Sequence, residues 1–208
     1  MLTGADEFVI ASVDQLREIY DPPSERSLLK QTDHIDDLSR KFIARSPFLI
    51  LATCGPAGVD CSPRGDHPGF VHVADEKTLL LPDRRGNNRL DSVENIVGNP
   101  AVGLIFLVPG VNETFRVNGR ARVSVDPQLR ELFAVSGKTP KTVLVITVDE
   151  AFIQCPRALL RSDLWNPEKF APRSEVPSLG AMLESQTGGR VNAAEIDEEA
   201  ARMPKTLY

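Results

Sequence analysis

The sequence predicts a mainly β protein: a small closed or partly closed antiparallel β-barrel with flanking helices. Three observations carry that prediction. Between about Pro47 and Gln154, short runs rich in Val, Ile, Leu, Phe and Thr recur, separated by turn residues. Only two short helical stretches interrupt those runs. In the run from Thr114, Phe115, Val117, Ala121 and Val123 alternate with Arg116, Asn118, Arg120 and Arg122, close to the period of two that half-buried strands show.

The elements follow in chain order. Residues 1–46 read as an acidic helical extension packing on the barrel. Val13, Leu16 and Ile19 keep helical spacing, Pro22-Pro23 interrupts, and Ile35, Leu38, Phe42 and Ile43 resume it. Asp33 is placed as the N-cap, with Asp36 and Asp37 in the first turn. Residues 47–165 form the barrel domain. Its strands are expected at Phe48 to Thr53, Val59 to Arg64, Leu79 to Leu81, Ala101 to Val108, Thr114 to Val125 and Thr142 to Gln154. The turn Gly55-Pro56-Ala57-Gly58 makes the first two a hairpin. Gly119 breaks the alternation and marks a bulge or a close backbone approach. Helices are expected at Leu90 to Val97, ended by Gly98-Asn99-Pro100, and at Pro127 to Val135, ended by Ser136-Gly137. Residues 166–208 form a polar extension: a connector paced by Pro167, Pro172 and Pro177, then short helices at Ser178 to Ser185 and Ala193 to Met203.

Composition excludes several function classes. A chain of 208 residues, 41% hydrophobic, can bury a sizeable core as one domain with terminal additions. Its net charge of −5 argues against non-specific nucleic-acid binding, so any anion site must be local. No apolar run approaches the length of a membrane span. Asp6 and Glu7 precede any hydrophobic stretch, unlike the charge order of a signal peptide, so a cytoplasmic protein is expected. The three cysteines, Cys54, Cys61 and Cys155, lack C-x-x-C spacing and are expected to be reduced thiols. No metal site is expected from His34, His67 and His72. There is no G-x-G-x-x-G, no G-x-S-x-G, and the Walker-like Ser136-Gly137-Lys138-Thr139 has Leu132 where a glycine is needed. No catalytic acid, base or nucleophile stands out.

One segment does point to chemistry. In LLLPDRRGNNRLDSVENIVGNP, Leu79 to Pro100, an apolar strand ends at Pro82 and a turn of Gly86-Asn87-Asn88 is flanked by Arg84, Arg85 and Arg89. Such a turn tolerates φ > 0 and can aim amides at an anion, while arginine pairs two phosphate oxygens at once and keeps its charge. A solvated basic turn between a strand and a helix is the bland alternative.

The order of FLILATCGPAGVDCSPRGD, this arginine segment, ETFRVNGRARV and AFIQCPRALLRSDLW, over about Phe42 to Trp165, resembles the pyridoxamine 5′-phosphate oxidase-related, FMN-binding split-barrel family. The resemblance implies a six-stranded, Greek-key-like antiparallel barrel, and a homodimer with FMN at the subunit interface. It places Arg64, Arg84, Arg85, Asn87, Asn88 and Arg89 at the FMN phosphate. Ser62, Pro63, Leu81 and Pro82 would pass beside the ring and ribityl chain, and Thr114, Arg116 and Asn118 lie on a strand that reaches the cofactor. Arg157, Arg161, Ser162 and Trp165 match a segment supplied by the partner subunit, with Trp165 equally readable as a hydrophobic anchor. Four arginines at one phosphate would each give charge-assisted bonds of roughly 1.5–3 kcal/mol before ordering costs. The R-x-H-like signature of the vitamin-making oxidase is absent, so its substrate does not transfer. Three functions follow: an FMN-dependent oxidoreductase acting on an unidentified small molecule, a flavin-binding or sensing protein without turnover, or a split barrel using deazaflavin or haem or no cofactor.

Overall fold

The computed structural model describes residues 8–208; Asp6 and Glu7, invoked above for the N-terminal charge order, lie outside them. Seven strands form one antiparallel sheet: β1 (Phe48–Gly55), β2 (Gly58–Gly65), β3 (His72–Asp75), β4 (Thr78–Pro82), β5 (Ala101–Leu107), β6 (Thr114–Ser124) and β7 (Val143–Gln154). They lie in the order β2-β1-β5-β6-β7-β4-β3. The class is therefore mixed α/β rather than mainly β, and the six expected strands are seven. The additional strand is β3. It is four residues long and buries only Val73, so it carries almost no periodic signal.

The helices are α1 (Val13–Ile19), α2 (Glu25–Leu29), α3 (Asp37–Arg45), α4 (Asp91–Gly98), α5 (Pro127–Glu131), α6 (Arg157–Arg161), α7 (Leu179–Gln186) and α8 (Ala193–Arg202). None is long and apolar enough to cross a membrane. Two expectations need correction. The N-cap of α3 is Asp36, whose carboxylate accepts from the Ser39 amide; Asp33 instead holds Lys77. Helix α5 stops at Glu131, because Val135 to Lys138 closes a tight turn with Ser136 and Gly137 both at positive φ. The proline connector is not fully extended either: Pro167–Lys169 and Arg173–Glu175 are single 3₁₀ turns.

The β1–β2 hairpin pairs Gly55 with Gly58 across a two-residue turn, as the Gly-Pro-Ala-Gly sequence requires. Pro63 sits in β2, an edge strand, where a missing amide costs the sheet least. Gly119 serves both purposes anticipated for it. The β6–β7 register shifts between Asn118 and Gly119, and a Cβ there would lie 2.1 Å from the Thr147 carbonyl oxygen.

The core is one cluster inside the curled sheet. Leu49, Leu51, Leu104, Phe106, Phe115, Val117, Leu144 and Ile146 fill it, with Ile43 of α3 and Ile96 of α4 closing over them. Strand β4 reads as a continuous apolar run because it is covered on both sides. Leu79 and Leu81 face the main core, whereas Leu80 packs with Phe133 and Val143.

Candidate functional site

The β2 edge of the sheet meets β4, the strand next to the opposite edge, where the arginines cluster. Strands β2 and β4 are five places apart in the sheet order, roughly 24 Å if the sheet were flat. Yet Arg64 at the end of β2 pairs with Asp83 just after β4 at 3.0 Å, and Arg84 pairs back with Asp66 at 2.5 Å. The sheet must curl for these reciprocal ion pairs to form, and they clasp its two ends together. Both pairs are largely shielded, with Arg64 and Asp83 at 22% and 15% side-chain exposure and Arg84 and Asp66 at 20% and 3%.

Arg84 is fully engaged in this clasp. Its Nη1 also donates to the Phe133 carbonyl at 2.6 Å, and its guanidinium lies 5.7 Å from the ring centre of Tyr208. Asp66 in turn accepts from the Tyr208 hydroxyl and from the His67 amide. Burial alone would raise the Asp66 carboxyl, but these hydrogen bonds and the positive charge of Arg84 hold it below the usual carboxylate range. Arg64 is less completely satisfied: its Nε is buried with no hydrogen-bond partner.

Beyond the clasp, residues 85–90 form an exposed loop leading into α4. Positive φ falls on Asn88 (59°), one of the three turn residues expected to tolerate it, and also on Leu90 (57°), outside that turn; Gly86 does not adopt it. A leucine in the left-handed region costs roughly 1–2 kcal/mol, a strain that the surrounding structure must offset. Asn87 accepts from the Arg89 amide, and Lys141 reaches Asn88 at 3.5 Å. Arg85 is exposed. Arg89 pairs with Asp91 at 77% exposure, so its guanidinium is tied only by a surface contact.

The start of α4 is less open to an anion than its sequence implies. Asp91 and Glu94 occupy the first turn. The Asp60 carboxylate accepts from Ser62 at 3.0 Å and from the buried Ser92 at 2.8 Å, stitching β2 to α4. The anion-favouring part is therefore the loop and the Arg64 end of the clasp, not the helix terminus.

The remaining sequence-predicted residues lie in two other places. Leu81 and Pro82 are buried at the end of β4, beside the clasp. On β6, Thr114 is buried, Arg116 lies over the Phe152 ring at 5.1 Å and Asn118 donates to Glu150. Around α6, Arg161 donates to the Arg157 carbonyl, Ser162 to the Leu159 carbonyl, and the Trp165 indole to the Val111 carbonyl at 2.9 Å. Among the described residues, no hydrogen bond or ion pair joins the β6 or α6 groups to the arginine loop. An open groove in the C-terminal segment, lined by Arg173, Val176, Leu179, Asp197 and Ala200, includes none of the predicted residues.

Sequence reasoning missed Asp66, Asp83, Asp60, Ser92 and Tyr208. The two clasp aspartates left a trace, since each lies within two positions of an arginine in SPRGD and PDRR. The partners of Tyr208 left none.

Comparison with known proteins bears on these residues. No curated protein matches the chain. Among solved structures, HupZ of Group A Streptococcus is 18% identical with a TM-score of 0.45, covering 55% of this chain and 89% of its own. An FMN-binding protein from Syntrophomonas wolfei is 12% identical with a TM-score of 0.44, covering 56% and 83%. A protein related to general stress protein 26 from Clostridium acetobutylicum is 17% identical with a TM-score of 0.42, covering 56% and 85%. The model of the family described as pyridoxamine 5′-phosphate oxidase matches residues 35–155, which run from the buried Ile35 through all seven strands and both sides of the clasp. More than half of the chain thus carries the family's pattern, and the protein belongs to the pyridoxamine 5′-phosphate oxidase-like, FMN-binding split-barrel family.

Proposed function

We propose that this protein binds FMN as a homodimer and serves as an FMN-dependent oxidoreductase acting on a small molecule. The observation that carries the reading is the buried, unpartnered Nε of Arg64, held by Asp83 at the root of an exposed arginine loop. A buried charged donor without a partner is costly, and a phosphate oxygen would satisfy it. The residues present fit the group. Arg64 offers Nε, Arg85 is free to turn, and Arg89 gives up only a solvent-screened surface ion pair to do the same. The strained Leu90 and the left-handed Asn88 set the loop's course between them.

When bound, FMN supplies the hydride or electron chemistry at its ring. This chain's own residues bind and orient. Leu81 and Pro82 give a dry, rigid wall at the strand end. Arg116, braced over Phe152, and Asn118, braced by Glu150, are positioned polar groups that would tune a ring placed against β6. Arg157, Arg161 and Ser162, whose hydrogen bonds stay within the α6 turn, are assigned to the partner's site; Trp165 goes with them in this reading, although its indole is also anchored on the Val111 carbonyl of its own protomer. The dimer reading is supported by the apolar outer face of β1, where Phe48 and Ile50 are 37% and 36% exposed.

The test is the absorbance spectrum of untreated protein, followed by mass identification of the molecule released on denaturation. Flavin absorbance and the mass of FMN are expected, at one per protomer. A colourless protein, or release of haem or a deazaflavin, would overturn the assignment. Reduction by a nicotinamide donor under anaerobic conditions then separates an enzyme from a binder.

A further inference from the structure

The structure assigns Tyr208 a role as a latch: a positioning residue that fixes Arg84, and through it the root of the arginine loop. Four contacts define it. The phenol ring stacks on His67, with centroids 6.3 Å apart and planes 15° from parallel. The Arg84 guanidinium faces the same ring at 5.7 Å. The hydroxyl donates to the Asp66 carboxylate, and Lys138 Nζ donates to the Tyr208 backbone oxygen at 2.9 Å. Three separate stretches of chain thus converge on one residue, two of them on its side chain.

The rest of the tail does not share this anchorage. Met203 to Leu207 are exposed, and Tyr208 alone is half-buried. A segment held by one residue opens at low cost, which is what a latch requires and a structural strut does not. What the latch holds is specific. Asp66 takes Arg84 Nε while Tyr208 covers the guanidinium face, and the next residue in the chain is Arg85, the first of the loop. With Tyr208 in place Arg84 has no freedom to swing, so the loop starts from a fixed point. Ordering that root in advance lowers the entropy lost when an anion is gripped and slows the anion's exit.

The effect on ligand exit rests on the FMN reading above, whereas the effect on the loop does not. The experiment therefore has two arms on the full-length protein. Hydrogen exchange of the amides from Asp83 to Arg89 is compared between wild type, Tyr208→Ala, Tyr208→Phe and the tail control Leu207→Ala. The latch predicts faster exchange in Tyr208→Ala, an intermediate rate in Tyr208→Phe, which keeps the stack and loses the hydroxyl bond, and no change in Leu207→Ala. The second arm follows the fluorescence of FMN released from the loaded protein. Tyr208→Ala should release it roughly tenfold faster, the size expected for loss of one charge-assisted hydrogen bond.

The contact itself is checked in Tyr20→Phe, which leaves Tyr208 as the only tyrosine of the two in the chain. Its hydroxyl should ionise above the ordinary tyrosine range, chiefly because it donates to the Asp66 carboxylate, and Asp66→Asn should lower it. Unchanged loop exchange in Tyr208→Ala overturns the latch. A protein that takes up no FMN, with loop exchange still quickened by Tyr208→Ala, overturns the FMN reading and leaves the latch standing.

Discussion

The four arginines expected at one phosphate divide into two pairs that the fold treats differently. Arg64 and Arg84 are half-buried, each paired with an aspartate from the other of the strand ends β2 and β4, and they clasp these two distant strands of the curled sheet together. Arg85 and Arg89, one and five positions beyond Arg84, lie exposed on a loop, and the carboxylate that Arg89 pairs with is the surface-lying Asp91. Identical side chains thus do architectural work on one side of the loop and remain available for a ligand on the other. Arg64 belongs to both pairs, since its Nη1 is committed to Asp83 and its Nε is not committed at all.

The sharpest way to break this comparison is Arg84→Ala. It removes hydrogen bonds to Asp66 and Phe133 and leaves a shielded carboxylate short of its charged partner, so a loss of about 3 kcal/mol is expected in the unfolding free energy measured in urea. Arg85→Ala, one residue along, should stay within about 0.5 kcal/mol of wild type. Equal losses at the two positions would erase the distinction.

The pH dependence sharpens it further. Because hydrogen bonds from Tyr208, the His67 amide and Arg84 outweigh the burial of Asp66, its carboxyl titrates below the usual range in the folded protein. A depressed native value stabilises the protein above the unfolded value of about 3.9 and loses that contribution as pH falls through the native one. The stability gap between wild type and Asp66→Asn should therefore hold from neutral pH to about pH 5 and narrow below about pH 4. No such narrowing is expected for Arg85→Ala.

Much of the scaffold could be read in advance. Period-two alternation, short apolar runs and the Gly-rich turn located six strands closely, because these patterns are local, whether a strand buries one face or, like β4, both. Strand β3 escaped because His72, Ala74 and Asp75 are exposed and a single valine marks its buried face. At the site, the types and positions of the arginines were visible and their division was not. Whether an arginine is free depends on which carboxylates the curled sheet brings round. Arg64 and Asp83 are 19 residues apart, and Tyr208 meets Asp66 across 142. The strain at Leu90 was equally hidden: the turn Gly86-Asn87-Asn88 was the legible candidate for left-handed backbone and Asn88 does adopt it, but nothing local marked the leucine two positions on.

The smallest expected effect concerns that strain. Leu90→Asn replaces a residue that resists positive φ with one that tolerates it, and should raise stability by up to about 1 kcal/mol in thermal unfolding. A destabilisation would mean that the leucine side chain, 44% exposed, is needed for packing.

The division of labour is tested most directly by the FMN content of the double variant Arg85→Ala/Arg89→Ala, measured per protomer beside wild type and beside its circular dichroism and unfolding midpoint. The account predicts a protein as folded and as stable as wild type, to within about 1 kcal/mol, that carries no FMN. A variant that keeps its full complement of FMN, or that unfolds as Arg84→Ala does, would contradict it.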